Sequence, residues 1–114
     1  MTSITILTTS NNYIGFVCDG HAGFDDYGKD IVCAAISVLA INTINSIDTL
    51  AGDRMDVESN EDDGMLSCRF IEPIQRVSDE AVLLLKSFVL GVNSIYEQYG
   101  DEFLNIKFEE VKPC

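Results

Sequence analysis

Apolar and β-branched residues alternate with polar ones near the start of the chain, and the pattern predicts two short strands. Residues 3–9 carry Ile4, Thr5, Ile6, Thr8 and Thr9, types that suit a pleated, half-buried surface. Residues 13–19 place Ile14, Phe16 and Cys18 on one face. Asn11-Asn12 is a turn signal between them, so the chain opens as a hairpin. Residues 20–29 lack periodicity and hold Gly20, Gly23 and Gly28, which reads as a loop. Asp30 is a good N-cap for a helix running from residue 31 to about 51, with Gly52 as its stop. The first half of that helix is apolar nearly all round. Such a helix is either central to the core or partly covered by a partner subunit. Residues 54–59 form a weak strand, with Met55 and Val57 against Asp56 and Glu58. After an acidic turn at 60–64, residues 65–72 form a better one, with Leu66, Cys68 and Phe70 on one face, ended by Pro73. Ser78 caps a second helix whose apolar residues recur at 81, 82, 85, 88, 89, 92, 95, 96 and 99, with Gly100 as its stop. Residues 103–111 alternate again, Leu104, Ile106 and Phe108 against Asn105, Lys107 and Glu109. The order β-β-α-β-β-α-β predicts one α/β domain over residues 1–114, a small two-layer sandwich of two helices on a mixed or antiparallel sheet.

Composition narrows the partners. At 114 residues and 46% hydrophobic content the chain can bury one modest core, and a homodimer would bury a second face. Nineteen acidic residues against 7 basic ones give a net charge of -12. That balance opposes direct nucleic-acid binding and docking on anionic membranes. It suits a basic partner as well as plain solubility. The first residues lack the basic and apolar regions of a signal peptide, and the apolar run at 31–41 is too short to span a bilayer. A cytoplasmic setting follows, with Cys18, Cys33, Cys68 and Cys114 as free thiols. There is no C-x-x-C pair, and nothing completes a ligand set around Cys18 and His21, so neither metal nor cofactor is expected. Cys18 and Cys68 alternate with apolar neighbours and read as core. Cys114, the last residue, reads as exposed.

His21 is the single histidine and follows a predicted strand. Cys33 lies twelve residues later, in the first turn of a predicted helix. A thiol with a pKa of about 8.5 is mostly protonated at neutral pH, and the thiolate is the nucleophile. With Asp30 as N-cap, Cys33 is the third helical residue, where open N–H groups and the helix dipole favour an anion. The same N–H groups could receive an oxyanion. A cysteine on an apolar helix is, however, usually core, and a loop histidine is usually surface. Residue types alone leave the catalytic and structural readings both open.

The order of residues adds more. Asp19-Gly20-His21-Ala22-Gly23, followed by Tyr27-Gly28-Lys29-Asp30-Ile31-Val32-Cys33-Ala34-Ala35-Ile36-Ser37, closely resembles the signature of the ribosomal-processing cysteine protease family. That family carries a Gly-His-Ala element and, after a short loop, an Asp-Ile-Val-Cys-Ala-Ala element, and its element order is similar across the chain. The resemblance implies that Cys33 is the nucleophile and His21 its base. It also implies supporting or substrate-binding positions at Gly20, Asp30, Ala34 and Ser37, with Asp30 as helix cap or as orienter of His21. Members are small bacterial homodimers that remove a short N-terminal extension, after an aromatic residue, from a protein of the large ribosomal subunit. A basic ribosomal protein suits a partner charged at -12. Residues 22–29, with the acidic pair Asp25-Asp26, then read as a lid over substrate, and Phe88, Tyr96 and Tyr99 as core or dimer contacts. Two rivals stand beside this reading. One is a non-catalytic ribosome-assembly or interaction protein on the same fold. The other is a different thiol enzyme or a redox sensor, which the lack of a second cysteine near Cys33 in sequence disfavours.

Overall fold

The computed structural model describes residues 2–10, 12–20, 27–60, 62, 64–71 and 73–112. Five strands form one sheet: β1 (Thr2–Thr9), β2 (Asn12–Asp19), β3 (Met55–Asn60), β4 (Met65–Phe70) and β5 (Leu104–Glu110). Two helices complete it, α1 (Tyr27–Ser46) and α2 (Asp79–Tyr99). The strand order is β3-β4-β2-β1-β5. β1 runs antiparallel to β2 and parallel to β5, and the remaining pairs are antiparallel. The sheet is therefore mixed, one of the two arrangements the element order allowed.

Period-two alternation gives the sheet one buried face. Ile4, Ile6, Phe16, Cys18, Cys68, Phe70 and Leu104 join a core with Val32, Ile36, Ala40 and Ile47 from the α1 region and Leu85, Phe88 and Val92 from α2. Intervening residues such as Thr5, Val17, Ser67 and Arg69 are only half-buried, because no helix covers that side. Phe16 and Phe88 stack with ring centroids 4.0 Å apart and tie α2 to the sheet. At Gly15 the backbones of β2 and β4 come so close that any side chain would meet the β4 main chain.

The second helix follows its sequence signals. The Ser78 hydroxyl accepts from the Ala81 N–H at 3.1 Å and donates to Asp53 at 2.7 Å, and Asp53 also accepts from the Ser78 N–H at 2.9 Å. A cap of this kind stabilises by about 1 kcal/mol. Gly100, with φ of 82°, closes the helix through a bond to Tyr96 O.

The first helix departs from expectation at its start. It begins at Tyr27, so residues 27–29 are helix and not loop, and Asp30 lies within the first turn instead of capping it. An acidic side chain is favourable at either position, and one glycine costs a helix only about 1 kcal/mol, so neither residue marks the boundary. The far end is as expected, running through a wider π turn, Ile47–Ala51, to Gly52 with φ of 72°. Smaller shifts affect the strands. β4 ends at Phe70, and Asn12 is already in β2, with Ser10 (φ 49°) in the turn. Counted as Asp30–Ala51, the helical stretch is long and apolar enough to cross a bilayer by length and composition, although the run at 31–41 is not. Here its inner face packs on the sheet, and Val38, Ile41 and Leu50 are exposed.

Candidate active site

The site forms where β2 ends beneath α1. Gly20 follows the last residue of β2, at φ of 151°, a value that favours glycine. Its N–H donates to Gly64 O at 3.0 Å, which ties the end of β2 to the turn before β4. Its carbonyl faces the helix, and the Cys33 thiol makes a long contact with it, Sγ to oxygen 3.9 Å. Cys33 is 5% exposed, on the side of α1 that meets the sheet. Beside it is a small cavity of about 40 Å³, lined by Cys18, Asp19, Gly20, Ser37, Gly64 and Leu66 among others. Ser37 is exposed on the turn after Cys33 and borders the same space.

The fold thus brings together Cys33, Gly20 and Ser37. Asp30 is half-buried one turn earlier. Ala34 lines a different feature, an apolar groove between α1 and α2 with Val38, Leu39, Gly91 and Ile95. His21, Ala22, Gly23, Asp25 and Asp26 lie outside the described residues, as do Glu61, Asp63 and Cys114. Of the lid assigned to 22–29, the described part is the first turn of α1. Phe88 is core, and Tyr96 borders a groove with Asn93, Asp101 and Phe108 between α2 and β5, at an edge of the sheet.

Two expectations need correction. Because α1 starts at Tyr27, Cys33 is its seventh residue and not its third. A helix leaves only the N–H groups of its first turn open, and Cys33 sits about 9 Å along the axis from Tyr27, beyond that turn. Its own N–H belongs to the helical ladder, so the helix end does not supply the oxyanion donors beside Cys33. The second correction concerns Cys18. Sequence distance suggested that Cys33 has no cysteine neighbour, yet Cys18 shares its cavity from the sheet side. Alternation along β2 marked Cys18 as inward-facing. It carried no information about which helix residue lies above it.

Cys18 and Cys68 are both held as neutral thiols. Burial pushes the Cys18 thiol up to about 12, with a smaller contribution from Cys33 nearby. Burial likewise raises Cys68 to about 12, against a backbone hydrogen bond from Phe16 that lowers it. Both stay protonated at neutral pH, and thiol alkylation needs the thiolate. Iodoacetamide at neutral pH should therefore modify Cys33 and Cys114 in the folded protein and leave Cys18 and Cys68 untouched, as read by peptide mapping. Cys18 or Cys68 reacting as fast as Cys33 would contradict this assignment.

Comparison with known proteins finds relatives in sequence and in fold. A family model described as Cysteine protease Prp matches residues 1–104. The ribosomal processing cysteine protease Prp of Staphylococcus aureus is 33% identical over 92 residues, covering 80% of this chain and 84% of that protein. Its namesake from Bacillus subtilis is 28% identical over 89 residues, covering 77% and 80% respectively. Among solved structures, the S. aureus protease with a covalently linked product peptide superposes with a TM-score of 0.81 at 27% identity, covering 96% of this chain and all 100% of that one. SMU.848 from Streptococcus mutans gives 0.84 at 31% identity, with 97% and 96% covered.

Proposed function

This chain belongs to the Prp family of ribosomal-processing cysteine proteases, and from that premise we propose that Cys33 is its nucleophile, His21 its base, and the N-terminal extension of a basic large-subunit ribosomal protein its substrate. The observation that carries the reading is the meeting of Cys33 with the Gly20 carbonyl, 3.9 Å from its sulfur, on the residue that directly precedes His21. The thiolate attacks the scissile carbonyl, and the amine leaves with a proton from His21. Water activated by the same imidazole then releases the acyl group from sulfur. Ser37, bordering the Cys33 cavity, is available to bond substrate. Asp30, inside the first turn, acts through the start of α1 and the conformation of the preceding segment. The reaction takes place in the cytoplasm, where the net charge of -12 draws in a basic substrate.

A fluorogenic peptide spanning the extension junction tests the activity. Wild-type protein cleaves it, and His21→Ala loses most of the rate while binding the peptide as before. Tight binding of the extension without any cleavage would turn the protein into an assembly factor on a protease fold.

The outer surface of the helices supports a homodimer. Val38 is 70% exposed, Leu90 69%, and Ile41 and Leu83 are also out in solvent. Together with the apolar groove between α1 and α2 they leave a patch of the kind that marks interfaces. Light scattering on the wild type should give twice the chain mass, and Val38→Asp with Leu90→Asp should give a folded monomer. A wild type that is monomeric at micromolar concentration would rule this surface out as a stable dimer contact.

A further inference from the structure

We propose that Cys18 and Cys33 form an oxidisable pair: a hydroperoxide converts the Cys33 sulfur to a sulfenic acid, and Cys18 resolves it to an intramolecular disulfide that closes the site reversibly. The inference rests on Cys33 being the reactive thiol of the proposed function, and it adds a modification site to that function. The two residues come from opposite layers, Cys33 from α1 and Cys18 from the end of β2, and both border one cavity of about 40 Å³. They are 5% and 8% exposed, so both residues lie between the layers and face the same narrow space. A cavity needs only about 10–15 Å³ to hold a water. A molecule of hydrogen peroxide fits this one.

The chemistry balances with the two thiols as reductant and the peroxide as oxidant. The Cys33 thiolate attacks one peroxide oxygen, the O–O bond breaks, and the other oxygen departs as water after taking a proton. Cys33 then carries S–OH. The Cys18 sulfur attacks the Cys33 sulfur, an S–S bond forms, the S–O bond breaks, and hydroxide leaves as water with the Cys18 proton. An external dithiol reverses the process. Burial keeps Cys18 protonated, with its thiol pushed up to about 12. Oxidation therefore begins at Cys33, and Cys18 serves as the resolving partner. Without that partner a sulfenic acid proceeds to sulfinic acid, which is not reversed by thiols. Cys68 is buried on the neighbouring strand and does not border the cavity.

The test treats the full, reduced chain with limiting hydrogen peroxide and maps it by non-reducing digestion and mass spectrometry. The expected product is a Cys18–Cys33 linked peptide lacking two hydrogens, with cleavage activity lost and then restored by dithiothreitol. In Cys18→Ala the same peroxide should carry Cys33 to the sulfinic acid, and dithiothreitol should restore nothing; Cys68→Ala should behave as wild type. Should Cys18→Ala not fold, the linked-peptide map of the unsubstituted chain decides alone. Wild-type Cys33 found as sulfinic acid with Cys18 still a free thiol would overturn the pair and leave the protease reading standing. Cys33 unmodified by peroxide and inactive on peptide would overturn both.

Discussion

Cys33→Ser should lower cleavage of the junction peptide by on the order of 10⁴- to 10⁶-fold, the scale seen when a hydrolase loses its nucleophile. A serine hydroxyl at this position loses its proton far less readily than a thiol, and an imidazole matched to a thiol leaves it protonated. The oxygen is also smaller than sulfur, and the contact to Gly20 O is already long at 3.9 Å. The loss should fall on kcat, with peptide affinity and melting temperature near wild type, because Cys33 touches a small cavity and not a packed interior alone. Cleavage by Cys33→Ser at a rate comparable to wild type would move the nucleophile elsewhere. A drop in affinity with kcat intact would make Cys33 a binding residue.

The largest effect on stability should come from Gly15→Ala. A β-carbon there would collide with the Cys68 carbonyl oxygen and stand 2.8 Å from Arg69 Cα, both main-chain atoms of β4. Neither can rotate away, so β2 and β4 must separate, and the separation reaches Cys68 and Phe70 in the core. Several kcal/mol, about 4 or more, belongs to the exceptional class of single substitutions. A domain with about 5–15 kcal/mol in total would be left close to unfolding. Gly91→Ala is the control. Its β-carbon would meet only the tip of the Leu39 side chain at 2.8 Å, which can change rotamer, at a cost below about 1.5 kcal/mol. Urea midpoints for the two variants should differ widely. A Gly15→Ala midpoint equal to wild type would mean that the strands separate at little cost.

Some of this was legible before any coordinates. The second helix could be bounded almost to the residue, because its periodicity is regular and both ends carry strong signals, Ser78 and Gly100. The start of α1 could not, since Asp30 suits a cap and a first turn equally and Tyr27-Gly28-Lys29 carries no apolar period. Alternation told which residues of each strand face the core. It did not tell that β1 lies inside the sheet with β5 beside it in parallel, because register between distant strands leaves no local mark. At the site, the motif carried Cys33, Gly20 and Ser37, which the fold gathers. Ala34 was carried by the same motif, but its helical angle turns it toward the α1–α2 groove. Cys18 was read correctly as buried and its neighbour was missed, since nothing in β2 records what packs over its last inward residue.

The parallel pairing of β1 with β5 also bears on synthesis. Thr2 to Thr8 lie opposite Leu104 to Glu110, so β1 leaves the ribosome well before β5 and waits for it before its second flank is covered. The hairpin of β1 and β2 closes locally and early. Until β5 arrives, β1 is an open edge with unpaired amides, a template for any extended chain nearby. A chain made this way assembles its sheet from the middle outward, and the flank of β1 that stays open longest is the one β5 finally covers.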